Sequence, residues 1–210
     1  ATTPAARVSD IFQPGVLYKT IMGTCLAGMA LIGTWGSIQW IQPWANKMAA
    51  GSEAANTAAA SAQICAGIGA IIGTLSAALL AEWFSRRWCY FALSLASFAV
   101  CQFLFRAPME YGGWFLLWVG LAGGVTASFY GWLPLYLPEL FPTRIRATAQ
   151  GFSFNFGRVL AAVGVLQSGQ LLNFFREDYA QMCSIISLVY LAGMVLIWFC
   201  PETKGKPLPD

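Results

Sequence analysis

The sequence predicts an all-α membrane protein with six membrane-spanning helices. Three observations carry that reading. Hydrophobic residues make up 58% of the 210-residue chain and charged residues only 10%, against about 25% charged in average soluble domains. Mean hydropathy is +0.61. Six apolar runs of about 18 residues or more, nearly free of charge, follow one another along the chain. Each is long enough to cross the ~30 Å hydrocarbon core as a helix rising ~1.5 Å per residue. None shows the strict alternation that a membrane barrel strand needs.

The elements follow in order. Residues 1–15 open with "ATTPAARVSD", which starts at Ala1 and lacks an apolar signal core. They read as a polar linker entering the first span, and the chain reads as a piece of something longer. The first span covers Val16–Gln42. Its Trp35, Gln39 and Gln42, at i, i+4 and i+7, share one face. The second span, Thr57–Ala81, holds "GAIIG" (Gly69–Gly73), and the fourth, Tyr111–Leu137, holds "GLAGG" (Gly120–Gly124). Such small-xxx-small spacings allow close backbone approach in lipid, either as static packing or as a sliding contact. The third span is Trp88–Phe105. The fourth ends in "WLPLYLPELFPTRIRA", where Pro134, Pro138 and Pro142 fall every four residues. Each proline removes a helix hydrogen bond, so this end is expected to kink, fray or terminate. The fifth span, Ala147–Leu172, is interrupted by Gln150, Asn155, Arg158 and Gln167, so it must face other helices or a water-filled cavity. The sixth is Tyr179–Cys200, and a tail of residues 201–210 follows.

Charge placement predicts orientation. Eight basic residues (Arg7, Lys19, Arg86, Arg87, Arg144, Arg146, Lys204, Lys206) fall on one side and three (Lys47, Arg106, Arg176) on the other. An excess of Lys and Arg marks the cytoplasmic side, so both termini are expected there. The net charge of +3 follows from this bias and implies no nucleic-acid partner. The absence of histidine removes His-based acid–base chemistry, His metal sites and a Ser–His dyad. The six cysteines form no metal-type pair and read as small apolar fillers. No cofactor and no enzyme activity are implied.

Three loop motifs lie on the predicted cytoplasmic side: "ALLAEWFSRR" (Ala78–Arg87), "PELFPTRIRATAQG" (Pro138–Gly151) and "PETKG" (Pro201–Gly205). They place Glu82, Arg86, Arg87, Glu139, Arg144, Arg146 and Glu202 at helix ends, where opposed charges can latch neighbouring helices. The first motif resembles the GxLaDrxGRk loop of the major facilitator superfamily, with Ala78, Glu82 and Ser85 at the Gly, Asp and second Gly positions. The other two resemble cytoplasmic signatures of its sugar-porter-like branches. The resemblance covers essentially the whole chain. It implies spans seven to twelve of a twelve-helix transporter, paired in the bilayer with an N-terminal six-helix half. It also implies a small-molecule substrate bound near the midplane between the halves, and alternating access.

Arg158 lies about eleven residues into the fifth span, roughly 16 Å deep at 1.5 Å per residue. Arginine in this span resembles the pattern of aromatic-acid/proton symporters and animal organic-anion transporters, where it is associated with the substrate carboxylate. The expected function is therefore secondary transport of a small organic anion, with proton coupling. The candidate binding residues are Arg158, Asn155, Trp35, Gln39 and Tyr130. A sugar or polyol transporter, to which Trp132 would also be suited, is one alternative; a non-transporting six-span subunit is another. No Asp or Glu falls at mid-depth, so a proton-carrying carboxylate would belong to the other half.

Overall fold

A computed structural model describes residues 7–209; residues 1–6 of the linker and Asp210 lie outside the described residues. Nine α-helical segments are described: α1 (Leu17–Ser37), α2 (Ile41–Met48), α3 (Ala58–Trp83), α4 (Arg86–Arg106), α5 (Gly113–Ala127), α6 (Phe129–Glu139), α7 (Arg146–Phe174), α8 (Tyr179–Ile186) and α9 (Val189–Leu196). They join into longer rods. A 3-10 turn at Ile38–Trp40 connects α1 to α2, Ser128 connects α5 to α6, and Ser187–Leu188 connect α8 to α9.

Five rods are long and apolar enough to cross a membrane: Leu17–Met48, Ala58–Trp83, Arg86–Arg106, Gly113–Glu139 and Tyr179–Phe199. Helix α7, at 29 residues, has the length but not the apolarity. Its polar residues Gln150, Asn155, Arg158 and Gln167 explain the shortfall. The protein is an all-helical, multi-pass integral membrane protein. Bilayer thickness dictates its rod lengths, because an unpaired backbone amide in hydrocarbon is costly.

The two most extensive helix pairs are α3 with α5 and α1 with α7. Glycine makes the first pair possible: a methyl group on Gly69 or Gly73 would overlap the backbone carbonyl of Gly120 or Gly124. The two sequence motifs therefore meet each other. Helix α4 lies on α5 and against α8 and α9, and α9 packs on α1. The centre is aromatic. Trp132 sits 4.8 Å from Tyr90 and 4.5 Å from Tyr136, and Phe129 stacks on Tyr190 at 5.9 Å. Tyr90 donates to the Leu26 carbonyl at 3.0 Å, which resolves its polar tip. Helix α3 is the least covered of the five apolar rods, with Ile64, Ile68, Ile71, Ile72, Leu75 and Leu79 exposed.

Two expectations are refined. The segment read as a linker contains a 3-10 helix, Val8–Phe12, whose Ile11 is fully buried. The proline-rich end of the fourth span is helical through Pro134 and Pro138 and stops at Glu139. The rod breaks earlier, at Ser128, whose hydroxyl bonds the Gly124 carbonyl at 2.9 Å and the Gly73 carbonyl at 3.1 Å.

Candidate functional site

A cleft of about 230 Å³ opens between α1, α3 and α5–α6, lined by Trp35, Gln39, Gln63, Thr126 and Tyr130 among others. Trp35 and Gln39 come from the last turn of α1 and the 3-10 turn after it. The Trp35 indole N–H donates to the Tyr130 hydroxyl at 2.7 Å, which locks two aromatic walls together. Arg158, on α7, holds its guanidinium 5.6 Å from the Trp35 ring centroid. This cation–π contact orients the charge without neutralising it. Arg158 is exposed, and among the described residues no carboxylate pairs with it.

Four of the five predicted binding residues therefore gather at one place: Trp35, Gln39 and Tyr130 in the cleft and Arg158 at its rim. Asn155 is exposed one turn away and donates its amide to the Gly151 carbonyl at 2.8 Å, on its own helix. Gln42 does not line the cleft itself but donates its amide to Gln63, which does. Gln63 was missed from the sequence, since a single amide one turn into an apolar helix has no partner visible nearby. Trp132 is fully buried in the aromatic core and does not reach the cleft.

A second cluster forms at the opposite end of the rods. The Arg86 guanidinium grips Glu139 through two bonds, 2.9 Å and 2.6 Å, and also bonds the Ala81 carbonyl. Thr203 donates its hydroxyl to the same carboxylate at 2.6 Å. Glu202 caps the N-terminus of α4, accepting the backbone N–H groups of Arg86 at 3.0 Å and Arg87 at 3.1 Å. An anion belongs at that positive helix end. Burial pushes the Glu202 carboxyl upward. The N–H donors of Lys204, Arg87 and Arg86, with the Ser85 hydroxyl, outweigh it and hold the group below the usual carboxylate range. The Arg87 side chain donates to the Cys200 carbonyl at 2.7 Å. Arg146 donates to the carbonyls of Pro138, Phe141 and Pro209, binding the tail to the α6–α7 loop.

Arg144 pairs with Asp10 at 3.0 Å, a partner in the segment read as a linker. Glu82 is exposed and joins neither ion pair described here. Six of the seven predicted latch residues thus meet partners, and Asp10 and Thr203 are added to them. Neighbouring loop motifs are separated by about 50 residues of chain, roughly 170 Å if fully extended, yet the three form one network.

The sugar (and other) transporter family model matches residues 16–206. Human solute carrier family 22 member 11 is 40% identical over 80 residues, 37% of this chain and 14% of that protein. A probable 4-methylmuconolactone transporter of Cupriavidus pinatubonensis is 25% identical over 204 residues, 96% of this chain and 46% of that one. In fold, a double tryptophan mutant of XylE superposes with a TM-score of 0.67 at 18% identity, covering 95% of this chain and 48% of that one. The inward-open xylose transporter XylE of E. coli gives 0.61 at 18% identity, covering 94% and 48%. The chain spans about half the length of the XylE chains and of the muconolactone transporter. The latch motifs, the helical architecture and a family match across residues 16–206 make this chain a member of the sugar (and other) transporter family, within the major facilitator superfamily.

Proposed function

We propose that this chain is the C-terminal, six-span half of a secondary transporter for a small organic anion bearing a carboxylate. Helix α7 is the fifth span and brings the five apolar rods to six, shielded by an N-terminal six-helix half that completes a substrate site at the cleft. Both termini and the latch are cytoplasmic, as the basic-residue bias requires. The observation that carries the reading is Arg158, exposed at mid-helix beside Trp35 with no carboxylate paired to it among the described residues. A charge at that depth costs at least ~2.5–3.5 kcal/mol, and a substrate carboxylate taking both arms of the guanidinium offsets it. The Trp35–Tyr130 pair would flank the apolar body of the ligand. A relative named organic anion transporter 3, from Oryctolagus cuniculus and 31% identical over 121 residues, agrees with the anion class. Proton coupling would draw on a carboxylate of the other half. Alternating access would rock the halves about the cleft.

A second reading, a neutral sugar or polyol, is favoured by the Gln39 and Gln63 amides in the cleft and by the XylE likeness. A non-transporting subunit would leave an exposed mid-span arginine without a use. The test is binding of radiolabelled benzoate by the purified full-length transporter, with muconate and xylose as competitors. Arg158→Ala should weaken benzoate binding about 10- to 150-fold, the equivalent of ~1.5–3 kcal/mol for bonds to a charged group. Arg158→Lys should recover part of that loss, and both variants should keep a normal thermal melt. Native benzoate affinity in Arg158→Ala, or competition by xylose alone, would reject the carboxylate reading.

A further inference from the structure

A groove of about 750 Å³ lies outside the cleft, between α3, α4 and α5. Its walls include Ile68, Ile72 and Leu80 of α3, Ala92 and Ala96 of α4, and Leu117 of α5. Helix α5 packs against both α3 and α4. Helices α3 and α4 touch little, although only Phe84 and Ser85 join them. They diverge as the sides of a V, with α5 as its floor. Tightening the floor cannot remove the space. Gly69 and Gly73 already bring the α3 backbone against Gly120 and Gly124, as close as two helices come.

Two observations identify what fills the groove. The first is its chemistry and depth. All its lining residues but Ser128, at the joint between α5 and α6, sit in helices of the apolar rods, so it opens within the hydrocarbon layer. Its two hydroxyls are spent: Ser76 donates to the Ile72 carbonyl at 2.7 Å, and Ser128 to the Gly124 and Gly73 carbonyls at 2.9 and 3.1 Å. Water needs two to four polar partners to stay in a cavity, and these side chains offer none. From Cys65 to Leu80 the groove follows α3 for roughly 22 Å at 1.5 Å per residue. One leaflet is about half of the ~30 Å core, so a whole acyl chain fits along it.

The second observation is the direction in which the groove opens. On α3 the cleft takes Gln63, Ala66, Gly67 and Ala70, whereas the groove takes Cys65, Ile68, Gly69, Ile72 and Ser76. At ~100° per residue the two stripes lie about 130° apart around the helix. On α5, Gly123, Thr126 and Ala127 face the cleft, and their stripe is about 120° from the groove stripe of Leu117, Gly120 and Gly124. A partner half closing over the cleft therefore leaves the groove facing the bilayer.

We infer that the α3–α4–α5 groove is a binding site for one acyl chain of a membrane phospholipid, held between the helices and not on their outer surface. Dispersion selects it. A chain in the groove meets apolar atoms on three sides, a chain on a flat helix face meets them on one, and an empty groove forfeits those contacts. The bound chain supports α3, the wall that groove and cleft share. The inference uses the transport reading only to place the partner half over the cleft, and it is independent of the carboxylate reading.

The test is photo-crosslinking of the full-length transporter in phosphatidylcholine nanodiscs. The probe is phosphatidylcholine with a diazirine near the end of one acyl chain, and labelled peptides are mapped by mass spectrometry. In the native protein, peptides holding Ala92–Ala96 and Leu116–Leu121 should be labelled at least fivefold more than the exposed α9 face at Leu191–Val195. Ala96→Phe puts a ring into the groove and should cut labelling of Leu116–Leu121 about fivefold. Val195→Phe adds the same bulk on α9 and should leave that labelling within about twofold of native. A thermal melt checks each variant. Where Ala96→Phe gives no folded protein, Ala92→Phe decides by the same criterion, because the Ala92 side chain starts exposed and its ring has room. Equal labelling of groove and α9 face would reduce the occupant to ordinary surrounding lipid and overturn the site. A groove without label in the native protein would show that a protein segment covers it, with the same consequence. Labelling by a photoreactive sterol in place of the phospholipid probe would overturn the acyl-chain assignment.

Discussion

Substitution Glu139→Gln removes one charge from the latch and leaves its shape intact. The Arg86 side chain is 11% exposed and that of Glu139 is 19% exposed, so the pair is neither a surface bridge nor fully desolvated. Exposed pairs contribute about 0–1 kcal/mol, and breaking a buried pair costs about 3–5 kcal/mol. The two guanidinium–carboxylate bonds of 2.9 Å and 2.6 Å are charge-assisted. Arg86 keeps the Ala81 carbonyl and Glu139 keeps the Thr203 hydroxyl when the partner is lost, which softens the penalty. The expected coupling between Arg86 and Glu139 is therefore about 1.5–3 kcal/mol. Equilibrium unfolding in mixed micelles of the native protein, Arg86→Met, Glu139→Gln and the double variant measures it. Because the latch lies at the far end of the rods from the cleft, each single variant should change turnover more than substrate affinity. A coupling below about 0.5 kcal/mol would show that the pair is no better than a solvated bridge. A large loss of binding at normal exchange rates would place the latch in the wrong part of the cycle.

Three other expectations follow from the same geometry. Gly69→Ala gains about 1 kcal/mol of helix propensity yet should destabilise the protein on balance by roughly 1–2 kcal/mol, since its methyl group meets the Gly120 backbone, whereas Gly169→Ala, with open space around it, should be neutral or stabilising in the same unfolding assay. Glu202 has a depressed carboxyl in the folded state, so its contribution to docking the tail is complete above the ordinary carboxylate range and is lost as pH falls through the lowered value; hydrogen exchange of residues 201–206 should rise on acidification in the native protein, and Glu202→Gln should abolish that pH dependence. For orientation, cysteines introduced at Asn56 and Asp178 should react with an impermeant maleimide added outside intact cells, and one at Thr143 should not; labelling of Thr143→Cys would reverse the topology.

Much of this molecule is written locally. The length of an apolar run and the scarcity of charge within it are properties of neighbouring residues, and the bilayer imposes the same length on every span. Predicted and observed rods accordingly agree closely, as with Thr57–Ala81 against Ala58–Trp83 and Tyr179–Cys200 against Tyr179–Phe199. The latch was legible because its charges stand at helix ends, in loop motifs where little else is charged. Arg158 was legible because a lone charge in an apolar run must have a reason to be there.

What tertiary structure decided is which of the proline sites break a rod and what the breaks place together. Beyond the 3-10 turn at Ile38–Trp40, Gln42 reaches Gln63, which lines the cleft with Gln39 and Trp35. Pro43 marks that turn locally, since it has no N–H for the Gln39 carbonyl four residues back and its ring crowds that carbonyl. Prolines 134 and 138, which do advertise a break, sit inside a continuous helix. A break is tolerable in a membrane only if its freed carbonyl finds another donor. At the α8–α9 break that donor is Gln102, 82 residues from Ser184, while Cys183, 146 residues from Ser37, adds a second donor to a carbonyl that the 3-10 turn already uses. Asp10 reaches Arg144 on the same terms, because the N-terminal turn packs beside α7 only after the helices assemble. Apolar span and charge follow from the chain read in order, whereas a helix break depends on the side chain that a distant helix brings to it.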